Sequence, residues 1–118
     1  MKKEKSQLTD ICQLQLKGVK DTQDLLSGKW KMVIVAALFY NGKFRFMDLS
    51  RRIEGIAPKT LSKELKDLEV NQLVTRTVVD TMPITVEYEL TAQGRSLNKV
   101  VEAMGEWGGN YRKSILNK

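Results

Sequence analysis

The chain has 118 residues, 42% of them hydrophobic, and its 20 Lys and Arg against 14 Asp and Glu leave a net charge of +6; that is apolar material for one core and not two, with a balance that favours polyanions. One cysteine, Cys12, cannot form an internal disulfide, and the absence of histidine removes the usual zinc sites and nucleophile–base pairs, so no metal, cofactor or catalytic site is expected. No apolar run reaches about 18 residues and no secretory leader opens the chain, so a cytoplasmic protein without a membrane span is expected.

Met1 to about Gln7 is charged and without periodicity, and reads as a mobile arm. If the stretch from Leu8 to Lys17 is helical, Leu8, Ile11, Cys12 and Leu16 form an apolar stripe that packs on the domain or on a partner subunit. Residues 1–16 are therefore expected to be an N-terminal arm and helix, and residues 17–118 the domain proper. Asp21 to Leu26 reads as a second short helix, broken by Ser27-Gly28. From Lys29 to Tyr40 almost no polar face is left, and a helix apolar all round must be covered on several sides. This is the expected central helix of the core, with Trp30 packed, Lys29 solvated, and Asn41-Gly42 ending it.

Between Arg45 and Ile53, Phe46, Leu49 and Ile53 recur at helical spacing inward while Arg51 and Arg52 point out, as in the first helix of a helix-turn-helix. Glu54-Gly55-Ile56 supplies the turn, with Gly55 free to take positive φ and Ile56 filling the gap between helices. Pro58 suits a first helical turn, where its missing N–H is not needed. In the helix that follows, Leu61, Leu65 and Leu68 share one face at i, i+4, i+7, and Lys59, Ser62, Lys63 and Lys66 point the other way. Leu73 to Val79 and Thr85 to Leu90 form an antiparallel hairpin, the second run alternating Val86, Tyr88, Leu90 against Thr85, Glu87, Glu89. Its tip, from Asp80 to Ile84, is the wing.

Thr91 is an N-cap for a last helix carrying Leu97, Val100, Met104, Trp107, Tyr111 and Ile115. That seam is too long for so small a domain to cover alone and reads as a dimer interface, the competing reading being simple packing against the central helix, with Gly105, Gly108 and Gly109 allowing close approach or fraying the end. The expected class is mainly α with a small antiparallel β-hairpin (α+β): a winged helix-turn-helix with a C-terminal dimerisation helix.

Taken in order, Gly28-Lys29-Trp30, Arg45-Phe46 with Leu49, Gly55-Ile56, Lys59-Thr60-Leu61-Ser62, Leu65 with Leu68, Pro83 with Val86-Glu87-Tyr88, Leu90-Thr91 and Gly94 resemble the HxlR-type bacterial transcriptional regulators. The resemblance runs from about Lys17 to Trp107 and implies a MarR-like winged-helix homodimer on operator DNA, often responding to small-molecule or redox stress; the effector it leaves unnamed. Two positions depart from the family pattern. Its usual Cys-Pro pair would fall at Lys17-Gly18, and Cys12 lies five residues earlier without a proline. Ala57 stands where the family has Ser, removing a helix-capping hydroxyl.

The charge distribution points the same way as the resemblance. Between Lys43 and Lys66 seven basic residues face three acidic ones. A helix fits the major groove of B-DNA, and its N-terminal half meets the base edges. Thr60, Ser62 and Lys63 are the expected base readers and Lys59 and Lys66 the phosphate contacts, flanked by Arg45, Arg51 and Arg52. Thr81 and Met82 would lie along the backbone or in the minor groove from the wing, with Arg76 at its base. The dimer interface is expected at Leu8, Ile11, Leu97, Val100, Met104, Trp107 and Tyr111, and Cys12 is the candidate redox residue. The leading reading is a sequence-specific, homodimeric transcription regulator binding double-stranded DNA at a pseudo-palindromic operator. The alternative is a winged-helix interaction module whose basic face meets an acidic protein partner.

Overall fold

Leu61, Leu65 and Leu68 decide where the core sits. All three are fully buried, as their spacing predicts, and they meet Ile34, Val35 and Leu38 of the central helix together with Leu49, Ile53 and Ile56. The computed structural model describes residues 2–116, with side chains from residue 9 onward. Its elements are α1 (Lys2–Leu25), α2 (Lys31–Asn41), β1 (Lys43–Arg45), α3 (Phe46–Arg52), α4 (Pro58–Val70), β2 (Val74–Val79), β3 (Thr85–Leu90), α5 (Ala92–Arg95) and α6 (Asn98–Leu116).

The helix-turn-helix forms as read. Ile53 and Ile56 are buried on either side of the turn, and Gly55 takes φ +87 beneath the Trp30 ring. The hairpin is present too, with Tyr88 and Leu90 buried on the alternating face of β3. It belongs to a three-stranded antiparallel sheet in the order β1-β3-β2, so the strand with the clearest alternation is the central one. Phe44 of β1 and Arg76 of β2 both lie opposite Tyr88. The fold is a winged helix-turn-helix, mainly helical with this small sheet.

Three expectations change. The two N-terminal helices are one: α1 runs without a break through Gly18, where the Thr22 hydroxyl donates to the Gly18 carbonyl at 2.8 Å. A lone glycine costs a helix roughly 1 kcal/mol and does not end it. The stretch read as a mobile arm is helical from Lys2, and the boundary expected between residues 16 and 17 falls inside α1. Likewise the last helix is two. Thr91 caps only the four-residue α5, its hydroxyl accepting from Gly94 N at 3.0 Å, and the chain turns at Ser96 before α6. Through that turn Leu97 packs against the core, and Val101 becomes the buried residue of α6. Finally, α2 is covered on fewer sides than its composition requires: Val33 and Tyr40 remain exposed.

The molecule is long for its size. Its radius of gyration is 18.0 Å and its extents 69 × 40 × 21 Å, against about 13 Å for a compact 100-residue domain. Residues 9–24 of α1 are exposed throughout, so α1 projects from the core rather than closing over it.

Candidate nucleic-acid interface

With its leucines sealed in the core, α4 is left with Lys59, Ser62, Lys63 and Lys66 exposed and Thr60 half-buried. Pro58 occupies its first turn. Ala57 stands at the cap position with extended backbone and no side-chain bond to the helix, as the sequence implies; a hydroxyl there contributes about 1 kcal/mol. The uncapped N–H groups carry partial positive charge at the end of the helix that also bears Lys59.

α3 crosses beside it. Arg51 pairs with Asp48 at 3.3 Å on an exposed face, and such a pair contributes about 0–1 kcal/mol, so the guanidinium is free to exchange it for a phosphate. An open cleft of about 550 Å³ runs between α3, α4 and β3, bordered by Arg45, Arg51, Ser62, Thr85 and Tyr88 over a floor that includes Phe46 and Val86. Ser62 and Tyr88 also border a smaller, polar cleft of about 280 Å³ with Lys66, Glu69 and Arg76. Arg45, Arg51, Ser62, Lys66 and Arg76 therefore line one continuous surface around α4. Thr81 and Met82 stand at the wing tip, where the Thr81 hydroxyl donates to the Pro83 carbonyl at 2.8 Å and Met82 is 99% exposed.

Arg52 is the exception. Adjacent residues on a helix point about 100° apart, and while Arg51 faces the cleft, Arg52 donates to Asn41 Oδ1 at 3.2 Å. It borders a separate hollow with Trp30, Val33 and Tyr40 on the α2 side, so it does not flank α4 as expected. Lys29, expected to be solvated, lies over the Trp30 ring at 4.8 Å from its centroid.

Sequence reasoning missed Lys31. Its side chain leaves the first turn of α2 and is buried against α4, with Nζ 2.9 Å from Glu64 Oε2 and 3.4 Å from Asp67 Oδ2. Burial works to lower its pKa, but the hydrogen bonds and charges of Glu64 and Asp67 prevail and raise it above the ordinary lysine value of 10.5. Lys31 is therefore a cation at every physiological pH.

Val100, Met104, Trp107, Tyr111 and Ile115 form an exposed stripe along α6. Trp107 and Tyr111 stack at 5.1 Å and 10°, and both are exposed. α1 exposes Ile11, Leu14, Leu16 and Val19, and carries Cys12 as an exposed free thiol; the Leu8 side chain lies outside the described residues. Between α2 and α6, Met32, Val33, Tyr40, Val101 and Met104 line an apolar hollow of about 280 Å³. Among the described residues no group of acidic or sulfur ligands could hold a metal, and no helix is long and apolar enough to cross a membrane.

Residues 25–115 match the model of the HxlR-like helix-turn-helix family. The chain is 40% identical over 99 residues to an uncharacterized HTH-type transcriptional regulator of Halalkalibacterium halodurans, covering 80% of this chain and 88% of that one. Among solved structures it resembles the redox regulator HypR in its reduced form, with a TM-score of 0.77 and 35% identity over 86% of this chain and 99% of that one. It also resembles the HTH-type transcriptional regulator YtcD, with a TM-score of 0.73 and 38% identity over 79% of this chain and 94% of that one.

Proposed function

The chain belongs to the HxlR-like helix-turn-helix family, whose members are DNA-binding transcriptional regulators and not enzymes, and from that premise we propose a homodimer that reads a pseudo-palindromic operator with one α4 in each half-site. The observation that carries the proposal is the pairing of two surfaces. One is the basic surface around α4; the other is the pair of uncovered apolar stripes on α1 and α6. Large exposed apolar patches mark interaction surfaces, and a two-fold dimer sets its two reading helices about one or two DNA turns apart. Leu97 contributes less to such an interface than its spacing promised, because it is partly buried against the core.

Fluorescence anisotropy on DNA from directly upstream of the protein's own gene, against a scrambled duplex across a salt series, tests the reading. Tight, salt-sensitive binding with preference for the upstream DNA is expected. Weak binding equal on both duplexes would instead favour an acidic protein partner. Arg51→Ala should weaken binding to every duplex and flatten the salt dependence by about one unit of slope, the mark of a lost phosphate contact; an unaltered slope refutes that role. Lys63→Ala should cost about 1–3 kcal/mol on the specific duplex and far less on the scrambled one, as a base contact does. Equal losses on both would reassign Lys63 to the backbone.

The hollow between α2 and α6 is the site we assign to a small apolar effector, since a ligand there would touch both the dimer stripe and the helix behind α4. HypR is a redox regulator; in this chain a thiol response would run through Cys12, exposed on α1.

A further inference from the structure

We propose that Lys31 is a positioning residue for DNA recognition: it holds the Glu64 carboxylate, and with it Asp67, on the core side of α4, so that the helix presents a cationic face to the groove, a role that rests on α4 being the helix that reads DNA.

The sequence of α4 makes such a device necessary. Between Pro58 and Val70 it carries Lys59, Lys63 and Lys66 against Glu64, Asp67 and Glu69, three charges of each sign and a net of zero. A neutral helix gains nothing from approaching phosphates unless its charges are sorted by face. Lys59, Lys63 and Lys66 share the exposed face at i, i+4, i+7, whereas Glu64 and Asp67, at i and i+3, lie on the flank beside the leucines, and Glu69 alone of the three acids stays exposed, between Lys66 and Arg76. Sequence spacing alone puts Glu64 next to Lys63 and leaves its side chain free to turn to either side. Lys31 decides which. Its ammonium approaches Glu64 to 2.9 Å, and both side chains are nearly withdrawn from solvent, at 9% and 12% exposure. Asp67, at 47% exposure, completes the pair from the next turn.

The leucine contacts cannot replace this bond. They fix α4 on the core but leave the Glu64 side chain free to choose its rotamer, while a short charged hydrogen bond between α2 and α4 is directional and selects one. Remove the ammonium and Glu64 is left ionised in a site that no longer compensates it. Its side chain then swings out to water, onto the side where Lys63 meets DNA, and brings a negative charge against the phosphates.

The test compares wild type, Lys31→Met and the double variant Lys31→Met/Glu64→Gln by anisotropy on the upstream duplex and on a mixed-sequence duplex, with melting curves of each protein. Lys31→Met is expected to weaken binding about tenfold at low salt, as a like charge set across an interface does. The double variant, whose freed side chain is neutral, is expected to recover most of that loss. Affinity in Lys31→Met equal to wild type overturns the proposal, as does a double variant no better than the single one, which is the outcome of a purely structural role. Should Lys31→Met melt below the binding temperature, Lys31→Gln, whose neutral donor holds Glu64 less firmly than the ammonium does, must show a smaller loss of the same sign that Lys31→Gln/Glu64→Gln restores. A wild-type protein that binds neither duplex overturns the DNA reading and this role together, whereas binding by wild type with no effect of Lys31 overturns this role alone.

Discussion

Gly94→Ala is expected to destabilise the protein by about 3 kcal/mol or more, the upper range for forcing atoms into a filled site, and to lower its melting temperature by on the order of 10 °C. A Cβ at residue 94 would be driven into the Leu73 carbonyl oxygen and to 3.1 Å from Leu90 Cδ2. Neither neighbour can retreat cheaply. The Leu73 carbonyl accepts the Thr91 N–H at 3.0 Å, and the Thr91 hydroxyl donates to the Gln72 carbonyl at 2.7 Å while accepting from Gly94 N. Leu90 is buried in the core. Backbone from three segments is thus fastened at one point, and residue 94 has room for a hydrogen only. Gly109→Ala is the control. It lies in α6 with nothing within 4 Å of the added carbon, so it should raise stability by about 0.5–1 kcal/mol through helix propensity. Chemical denaturation of the two variants reads both signs, and equal stability of Gly94→Ala and wild type would show that the α5 junction is looser than its hydrogen bonds require.

Trp107→Glu is expected to convert the proposed homodimer to monomer and to weaken binding to operator DNA by about a hundredfold or more, the loss that follows when two linked half-site contacts become one. The position suits the test because it is 68% exposed in the single chain, so a charge there spares the core. What the substitution removes is the stack with Tyr111 and the middle of the α6 stripe, a place where buried Trp side chains carry much of an interface's energy. Light scattering after size exclusion gives the mass, and anisotropy the affinity. A variant that remains dimeric would move the interface off α6.

How much of this could be read from the residues depends on how local the cause is. Leu61, Leu65 and Leu68 announce their helix and its buried face because the period of the helix is written in three positions. Strand β1 has no such mark. Its three residues have no alternation to notice, and they become a strand by lying against β3, with Phe44 opposite Tyr88. The break between α5 and α6 carries neither proline nor glycine at the turn itself; it follows from the close approach at Gly94, which only the folded chain reveals. The union of the two N-terminal helices was hidden by Gly18, a residue that weakens a helix without stopping it. Arg51 and Arg52 look equivalent in sequence, and one position of helical rotation sends them to different surfaces. Lys31 was the hardest to see, since its partner Glu64 is 33 positions away and neither residue departs from what a solvated surface would carry. The apolar stripe of α6, by contrast, was legible as an excess: more large side chains at helical spacing than one small core can cover.

The helix α2 touches α4 on one side, through Lys31, and α6 on the other. It is 11 residues long, about 16 Å, and Ile34, Val35 and Leu38 along it are sealed. A short rod with one face sealed transmits a push toward that face because close packing leaves no slack there to absorb one. The apolar hollow beside Val33 and Tyr40 and the carboxylate of Glu64 are therefore opposite faces of the same rod, one helix diameter apart. On the function proposed above, a ligand seated in the hollow would press on α4 through a single helix, by way of its sealed residues and Lys31.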